Sequence, residues 1–162
     1  MQILPTILIV TRGKNKSIPL KEQAEEILRR EDCTATVAEE ESLRSSFQYS
    51  QLNLREIREN PSRFFALLDV NNLDKAKVDY YLDEEEALHK RIRAIRNLYG
   101  GPRIILFNGK TTETFVTPGD LHKDYIDSVK KKIALRASSF EQAVKLAAGR
   151  INLMYKGTPE LV

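Results

Sequence analysis

The stretch "ILIVTRGKNKSIPLKEQAEEIL", residues 7–28, sets the pattern from which the fold of this chain is predicted. It opens on four apolar residues, which are typical of a short strand, Thr6–Val10, buried on both faces of a parallel sheet. From Leu20 onward apolar residues recur with the spacing of one helix face, and Pro19 suits the first turn of that helix. The polar segment between them is then the loop at the carboxyl end of the strand.

The same alternation of strands and helices continues along the chain. Further strands are predicted at residues 33–38, 64–70, 104–107 and 114–117, and further helices at residues 43–59, 83–99, 120–136 and from 138 onward. This order predicts a three-layer, doubly wound α/β fold with a mostly parallel five-stranded sheet and an extra C-terminal helix. We expect an α/β domain over residues 1–136 and a helical extension over residues 137–162, packed on the same domain.

Two local motifs bear on the second half of the chain. The Asn108-Gly109 turn leaves open whether the fifth strand pairs with the fourth as a hairpin or lies parallel to the others. Ser138 and Glu141 have the spacing of a capping box, which would begin the last helix.

Length and composition bound the class of protein. The chain has 162 residues, of which 41% are hydrophobic and 30% charged, enough apolar material for one domain with a core. No apolar run approaches the roughly 20 residues that cross a bilayer, and the first residues do not resemble a signal peptide. Cys33 is the single cysteine, which excludes an internal disulfide and a multi-cysteine metal site. These features predict a cytoplasmic protein with no membrane association, no cofactor and no metal.

The net charge of +3 is unevenly distributed. Residues 121–162 carry eight Lys and Arg against four Asp and Glu. A basic segment of this kind can bind nucleic acid. The candidate residues for such binding are Lys130, Lys131, Lys132 and Arg136. The alternative interpretation is a helix face whose charges are simply solvated.

The first loop is a candidate anion site, because it is basic and precedes a helix whose amino terminus favours negative charge. Its candidate residues, with two from the turn after the fourth strand, are Arg12, Lys14, Lys16, Ser17, Asn108 and Lys110. The loop lacks the glycines of a Walker A motif. A phosphate-bearing ligand is one interpretation, and a solvated loop in which Arg12 pairs with Asp69 is the other.

Acidic residues mark two further positions. Asp69 ends the apolar strand "FFALLDV" and is either a catalytic acid or a structural cap of the following Asn71-Asn72 turn. The four consecutive acids at residues 83–86 are interpreted as the start of a helix, where they complement the helix dipole, and not as metal ligands. Neither His89 nor His122 has the spacing of a catalytic triad.

Several stretches together resemble the receiver domain of response regulators, a flavodoxin-like fold. They are "ILIV", "AEEILRREDCTATVAEEESLR", "IRENPSRFFALLDVNNLD", "IRAIRNLYGGPRIILFN" and "ETFVTPGDLHKDYIDSVKKKIAL". The resemblance covers about residues 6 to 136 and implies that Asp69 matches the phosphoacceptor aspartate. It also implies that Thr11 and Arg12 stand where the family has its acidic pair, Phe107 or Asn108 where it has a hydroxyl, and Thr117 where it has a lysine. The helix between the fourth and fifth strands is also missing. A member with these departures would be a degenerate pseudo-receiver that is not phosphorylated.

Three functions are therefore weighed. The first is a non-catalytic, receiver-like regulatory module that binds a protein partner or forms a homodimer. Its interface would lie on the last helix, at Phe140, Val144, Ile151 and Tyr155. The second is a nucleic-acid-binding protein that uses the basic C-terminal helices. The third is an enzyme that acts on a phosphorylated or nucleotide substrate at the carboxyl edge of the sheet, with Asp69 as the candidate catalytic residue.

Overall fold

The computed structural model describes residues 5–11, 20–39, 64–70, 73, 75–92, 102–107 and 133–155. These residues form five strands and three helices in α/β order. The strands are β1 (Thr6–Val10), β2 (Thr36–Glu39), β3 (Phe64–Asp69), β4 (Ile104–Phe107) and β5 (Ala134–Ala137). The helices are α1 (Leu20–Arg30), α2 (Lys75–Ile92) and α3 (Phe140–Tyr155). The helix predicted at residues 43–59 lies outside the described residues.

The five strands form one sheet in the order β2-β1-β3-β4-β5, and every neighbouring pair is parallel. This confirms the predicted doubly wound α/β fold, and the arrangement is consistent with a flavodoxin-like topology. The chain builds outward from β1 to β2 on one side and from β3 through β4 to β5 on the other. The strand order therefore reverses between β1 and β3, and at this point sheets of this kind form a crevice at their carboxyl edge.

Helices cover both faces of the sheet. The inward residues of α1 and α3 pack on one face, where the largest strand side chains are Phe65 and Phe107. The inward residues of α2 pack on the other face, against Leu8, Leu68 and Leu106. Because side chains alternate along a strand, β1, β3 and β4 contribute to both layers, and this explains their continuous apolar sequences.

The fifth strand differs from the prediction. It is Ala134–Ala137, which pairs with β4, whereas these residues up to Arg136 were expected to end a helix. The prediction was wrong because Ala and Leu favour helices locally, while pairing with an existing strand decides the conformation here. The predicted strand at residues 114–117 lies outside the described residues. The domain boundary expected after residue 136 falls within β5, and α3 follows this strand directly.

The second described helix also begins earlier than expected, at Lys75 and not at residue 83. Its buried side chains recur at helical spacing, but one of them is charged. They are Val78, Tyr81, Leu82, Glu85 and Leu88. The acids at residues 83–86 therefore lie in the middle of α2, and their interpretation as a helix start was wrong.

The ends of two helices are closed by standard caps. Asp32 has a φ of 51° and follows α1 as a left-handed residue. The N–H of Cys33 donates to Leu28 O at 2.9 Å and that of Asp32 donates to Arg29 O at 3.2 Å, which is the Schellman pattern. At α3 the N-cap is Ser139, one residue after the predicted Ser138.

No helix within the described segments is both long enough and apolar enough to cross a membrane.

Candidate functional site at the carboxyl edge of the sheet

Parallel strands bring their carboxyl ends to one edge, and Asp69 ends the central strand there. Asp69 is paired with Phe107 across β3 and β4, while Val10 is paired with Leu68 on the other side. Thr11, the residue after β1, therefore lies at the same edge as Asp69. This places Asp69 beside the point where the strand order reverses, which is where ligands of such sheets bind.

Asp69 is held in a fixed position by its backbone. Its residue is 4% exposed. The N–H of Leu73 donates to its carbonyl oxygen at 3.1 Å, and the N–H of the following Val70 donates to the carbonyl oxygen of Phe107 at 3.1 Å. The turn that leaves β3 is therefore closed by a main-chain bond that the carbonyl oxygen of Asp69 accepts. These bonds fix the main chain at Asp69, a residue buried at this edge of the sheet.

Phe107 is one of the two residues, with Asn108, that the receiver resemblance places where the family has a hydroxyl group. It is buried, and its ring contacts that of Phe140 with centroids 5.4 Å apart and an interplanar angle of 63°. The aromatic ring belongs to the core between the sheet, α1 and α3. The last residue of β4 is therefore occupied by apolar packing, and Asn108 lies outside the described residues.

Two serines follow β5 at the same edge, a feature that sequence reasoning missed because it placed the fifth strand elsewhere. The N–H of Gln142 donates to the hydroxyl of Ser139 at 3.1 Å, and the hydroxyl of Ser138 donates to the side-chain oxygen of Gln142 at 2.8 Å. Both hydroxyls therefore contribute to the start of α3. The position matched to the family's lysine, Thr117, lies outside the described residues, and the strand seen beside β4 is followed by Ser138.

Most of the predicted anion and nucleic-acid residues lie outside the described residues. They are Arg12, Lys14, Lys16, Ser17, Asn108, Lys110, Lys130, Lys131 and Lys132. The structure does place Arg136, which is exposed on β5 and not on a helix as expected. Of the residues proposed for an enzyme, Asp69 is the one the structure places at the carboxyl edge.

The residues predicted to form an interface on the last helix lie mostly within the chain's own core. Val144 and Ile151 are buried against the sheet, and Phe140 is partly buried against the same cluster. The side chain of Tyr155 is outside the described residues. The described part of the apolar stripe of α3 is therefore occupied by intramolecular packing. Among the described side chains of this helix, Leu153 is a large hydrophobic one that is exposed, at 73%.

A buried ion pair at the other edge of the sheet was also missed. Glu85 on α2 accepts from the side chain of Arg103, which immediately precedes β4. The sequence contained one signal for it: Glu85 lies on the same helix face as the apolar residues 78, 81, 82 and 88. This spacing is recognisable only if the helix is extended back to Lys75. No group of three His, Cys, Asp or Glu side chains within the described segments could hold a metal ion.

Taken together, the described part of the carboxyl edge holds one buried carboxyl group, an aromatic ring and two capping serines. A carboxyl group at this edge can accept hydrogen bonds or a proton. Comparison with protein-family models and with curated protein sequences finds no match to this chain.

Proposed function

We propose that the chain is a non-catalytic, receiver-like regulatory module that acts through protein–protein contacts, as a homodimer or within a larger complex. The observation that carries the proposal is the position of Asp69, buried at the carboxyl end of the central strand of a 2-1-3-4-5 parallel sheet. This is the position of the phosphoacceptor in the family that the sequence resembles. The residues around it explain why the module would not be phosphorylated.

Phosphoryl transfer to a carboxylate requires groups that neutralise the charge of the transferred phosphate. At the end of β1 the chain has Thr11 and Arg12 in place of two acids, so a divalent cation would lack a carboxylate cage. At the end of β4, the ring of Phe107 packs against the ring of Phe140. After β5, Ser138 and Ser139 serve the cap of α3. Each of these substitutions removes part of the transfer chemistry and keeps the fold.

The test of the non-catalytic part is incubation of the full chain with acetyl phosphate and Mg²⁺, followed by intact-mass measurement. We expect the mass to remain that of the unmodified chain, for the wild type and for Asp69→Asn alike. Addition of one phosphoryl group to the wild type and not to Asp69→Asn would overturn the proposal. It would show that Asp69 is a working phosphoacceptor despite its neighbours.

The test of the interaction part is native mass spectrometry of the full chain before and after a high-salt wash. A discrete multimer, unchanged by salt, is the expected result for a homodimer held by packed surfaces. Heterogeneous added mass that high salt removes would instead indicate bound nucleic acid. Added mass in small discrete units would indicate a bound ligand and would favour the enzyme interpretation.

Truncation of the last helix does not test this proposal. Residues of α3 form part of the core with β3, β4 and α1, so their removal would expose apolar surface whatever the function. Association of a truncated chain would then report misfolding. Point substitutions on the outer face of the helix are the appropriate variants.

A further inference from the structure

Glu85 and Arg103 form an ion pair that is fully inside the protein, with both side chains 0% exposed. The Nε of Arg103 donates to Oε1 of Glu85 at 2.7 Å, and the backbone N–H of Arg103 donates to Oε2 at 2.8 Å. One carboxylate therefore binds both the side chain and the main chain of the same residue. Such a two-point contact fixes direction as well as distance.

The pair joins two elements at the amino edge of the sheet. Arg103 immediately precedes β4, and its carbonyl oxygen accepts from the N–H of Ala66 on β3 at 2.8 Å. Arg103 is therefore part of the sheet's main-chain bonding. At the opposite edge, α2 begins two residues after Leu73, whose N–H is bonded to the carbonyl of Asp69. The helix is thus connected to the sheet through the segment that precedes it and through Glu85 in its middle.

The apolar contacts of α2 do not fix the direction and distance of the helix in the same way. Val78, Tyr81 and Leu82 pack on the sheet through non-directional contacts, which tolerate a small rotation or shift of a helix. A buried ion pair is expensive to desolvate, and its replacement by apolar residues is often neutral or stabilising. Stability is therefore a weak reason for this pair, whereas directional bonds of this kind favour one docking position over others.

The geometry points to the Glu85–Arg103 pair as a positional lock, which holds α2 in one rotation and one register on the sheet. This assignment is independent of the proposed function, because it concerns the edge opposite Asp69. If the pair has this role, its removal has a specific consequence. Without the pair, α2 should still pack against the sheet, but it should sample more than one docking position and open more often.

The experiment compares two double variants of the full chain by hydrogen–deuterium exchange. Glu85→Leu with Arg103→Met removes the lock, and Glu86→Leu with Lys90→Met removes the exposed ion pair on the same helix, whose atoms lie 3.7 Å apart. We expect the first variant to keep a cooperative thermal transition while exchange in α2 accelerates by about tenfold or more relative to α1. The second should leave exchange in α2 as in the wild type. Exchange in α2 at the wild-type rate in the first double variant would overturn the assignment of this pair as a positional lock.

A second variant keeps the inference testable if the first double variant does not fold cooperatively. Arg103→Lys retains the charge and the backbone donor but lacks the rigid planar group that binds Oε1. If the pair acts as a lock, Arg103→Lys should fold and show faster exchange in α2 with no change in α1. If the pair only neutralises a charge, exchange in both helices should stay at the wild-type level, and the inference fails.

Discussion

Phe107 and Phe140 are in T-shaped contact, and this contact joins the last residue of β4 to the first residue of α3. Phe107 is buried in the core of that face, whereas Phe140 lies at its margin. The resemblance to receivers implies a hydroxyl group at Phe107 or at Asn108. The contact therefore joins α3 to the sheet at the edge that carries Asp69.

We expect Phe107→Ala to lower the free energy of unfolding by about 3–5 kcal/mol, because it leaves a cavity in a packed core. Phe107→Leu, which retains most of the apolar volume, should cost roughly 1–2 kcal/mol. Urea denaturation measures both values. A double-mutant cycle with Phe140→Ala should give a coupling of about 0.5–1.5 kcal/mol, and strict additivity would contradict an energetic role for the ring contact.

A second prediction concerns Asp32, the left-handed residue after α1. We expect Asp32→Gly to raise the free energy of unfolding by up to about 1 kcal/mol, because glycine adopts this conformation without steric cost. Asp32→Ala is the matched control and should not stabilise, because alanine tolerates a positive φ poorly. Thermal denaturation of the three proteins side by side decides the matter. If the glycine variant is less stable than the wild type, the Asp32 side chain contributes more to the free energy of unfolding than its left-handed backbone conformation costs.

The two serines before α3 should differ in their effects. Ser139→Ala removes the N-cap acceptor and should lower the free energy of unfolding by about 1 kcal/mol. Ser138→Ala removes an exposed hydroxyl that bonds to a side chain, and its effect should stay within about 0.5 kcal/mol. Equal losses from the two substitutions in urea denaturation would mean that the cap is not centred on Ser139.

The inner and outer faces of α3 offer a further comparison. Val144→Ala deletes apolar volume from the core and should cost roughly 2 kcal/mol. Leu153 lies on the exposed face, and Leu153→Lys should change the free energy of unfolding by less than about 0.5 kcal/mol. If the chain is a homodimer, native mass spectrometry of Leu153→Lys also shows whether this face takes part. A large loss of monomer stability from Leu153→Lys would contradict the orientation of α3.

The parts of the fold that could be predicted from sequence are those in which local pattern and tertiary context agree. The apolar run of β1 and the spacing of Ala24, Ile27 and Leu28 in α1 are such cases. The stripe of α3 is another, although the prediction assigned part of it to a partner and not to the chain's own sheet. Periodicity shows which side chains are buried, but it does not show what covers them.

The errors arose where one residue contradicts its neighbours. Glu85 interrupts the apolar stripe of α2, so the first turns of that helix were not recognised, and its partner Arg103 is 18 residues away in sequence. Arg136 makes "ALRA" resemble the end of a basic helix, although pairing with β4 makes it a strand. Both conflicts are resolved by contacts between distant segments, which no local pattern contains.

The parallel alignment of β3 and β4 also separates the two edges of the sheet at which substitutions can act. Arg103 precedes β4 and Phe107 ends it beside Asp69, so the Cα atoms of Arg103 and Phe107 are about 13 Å apart at roughly 3.3 Å per residue. Effects of substitutions at this separation are usually additive. The end of the molecule that carries Asp69 can therefore acquire or lose chemistry without disturbing the end that positions α2. Such independence lets a scaffold keep its architecture while its chemistry diverges.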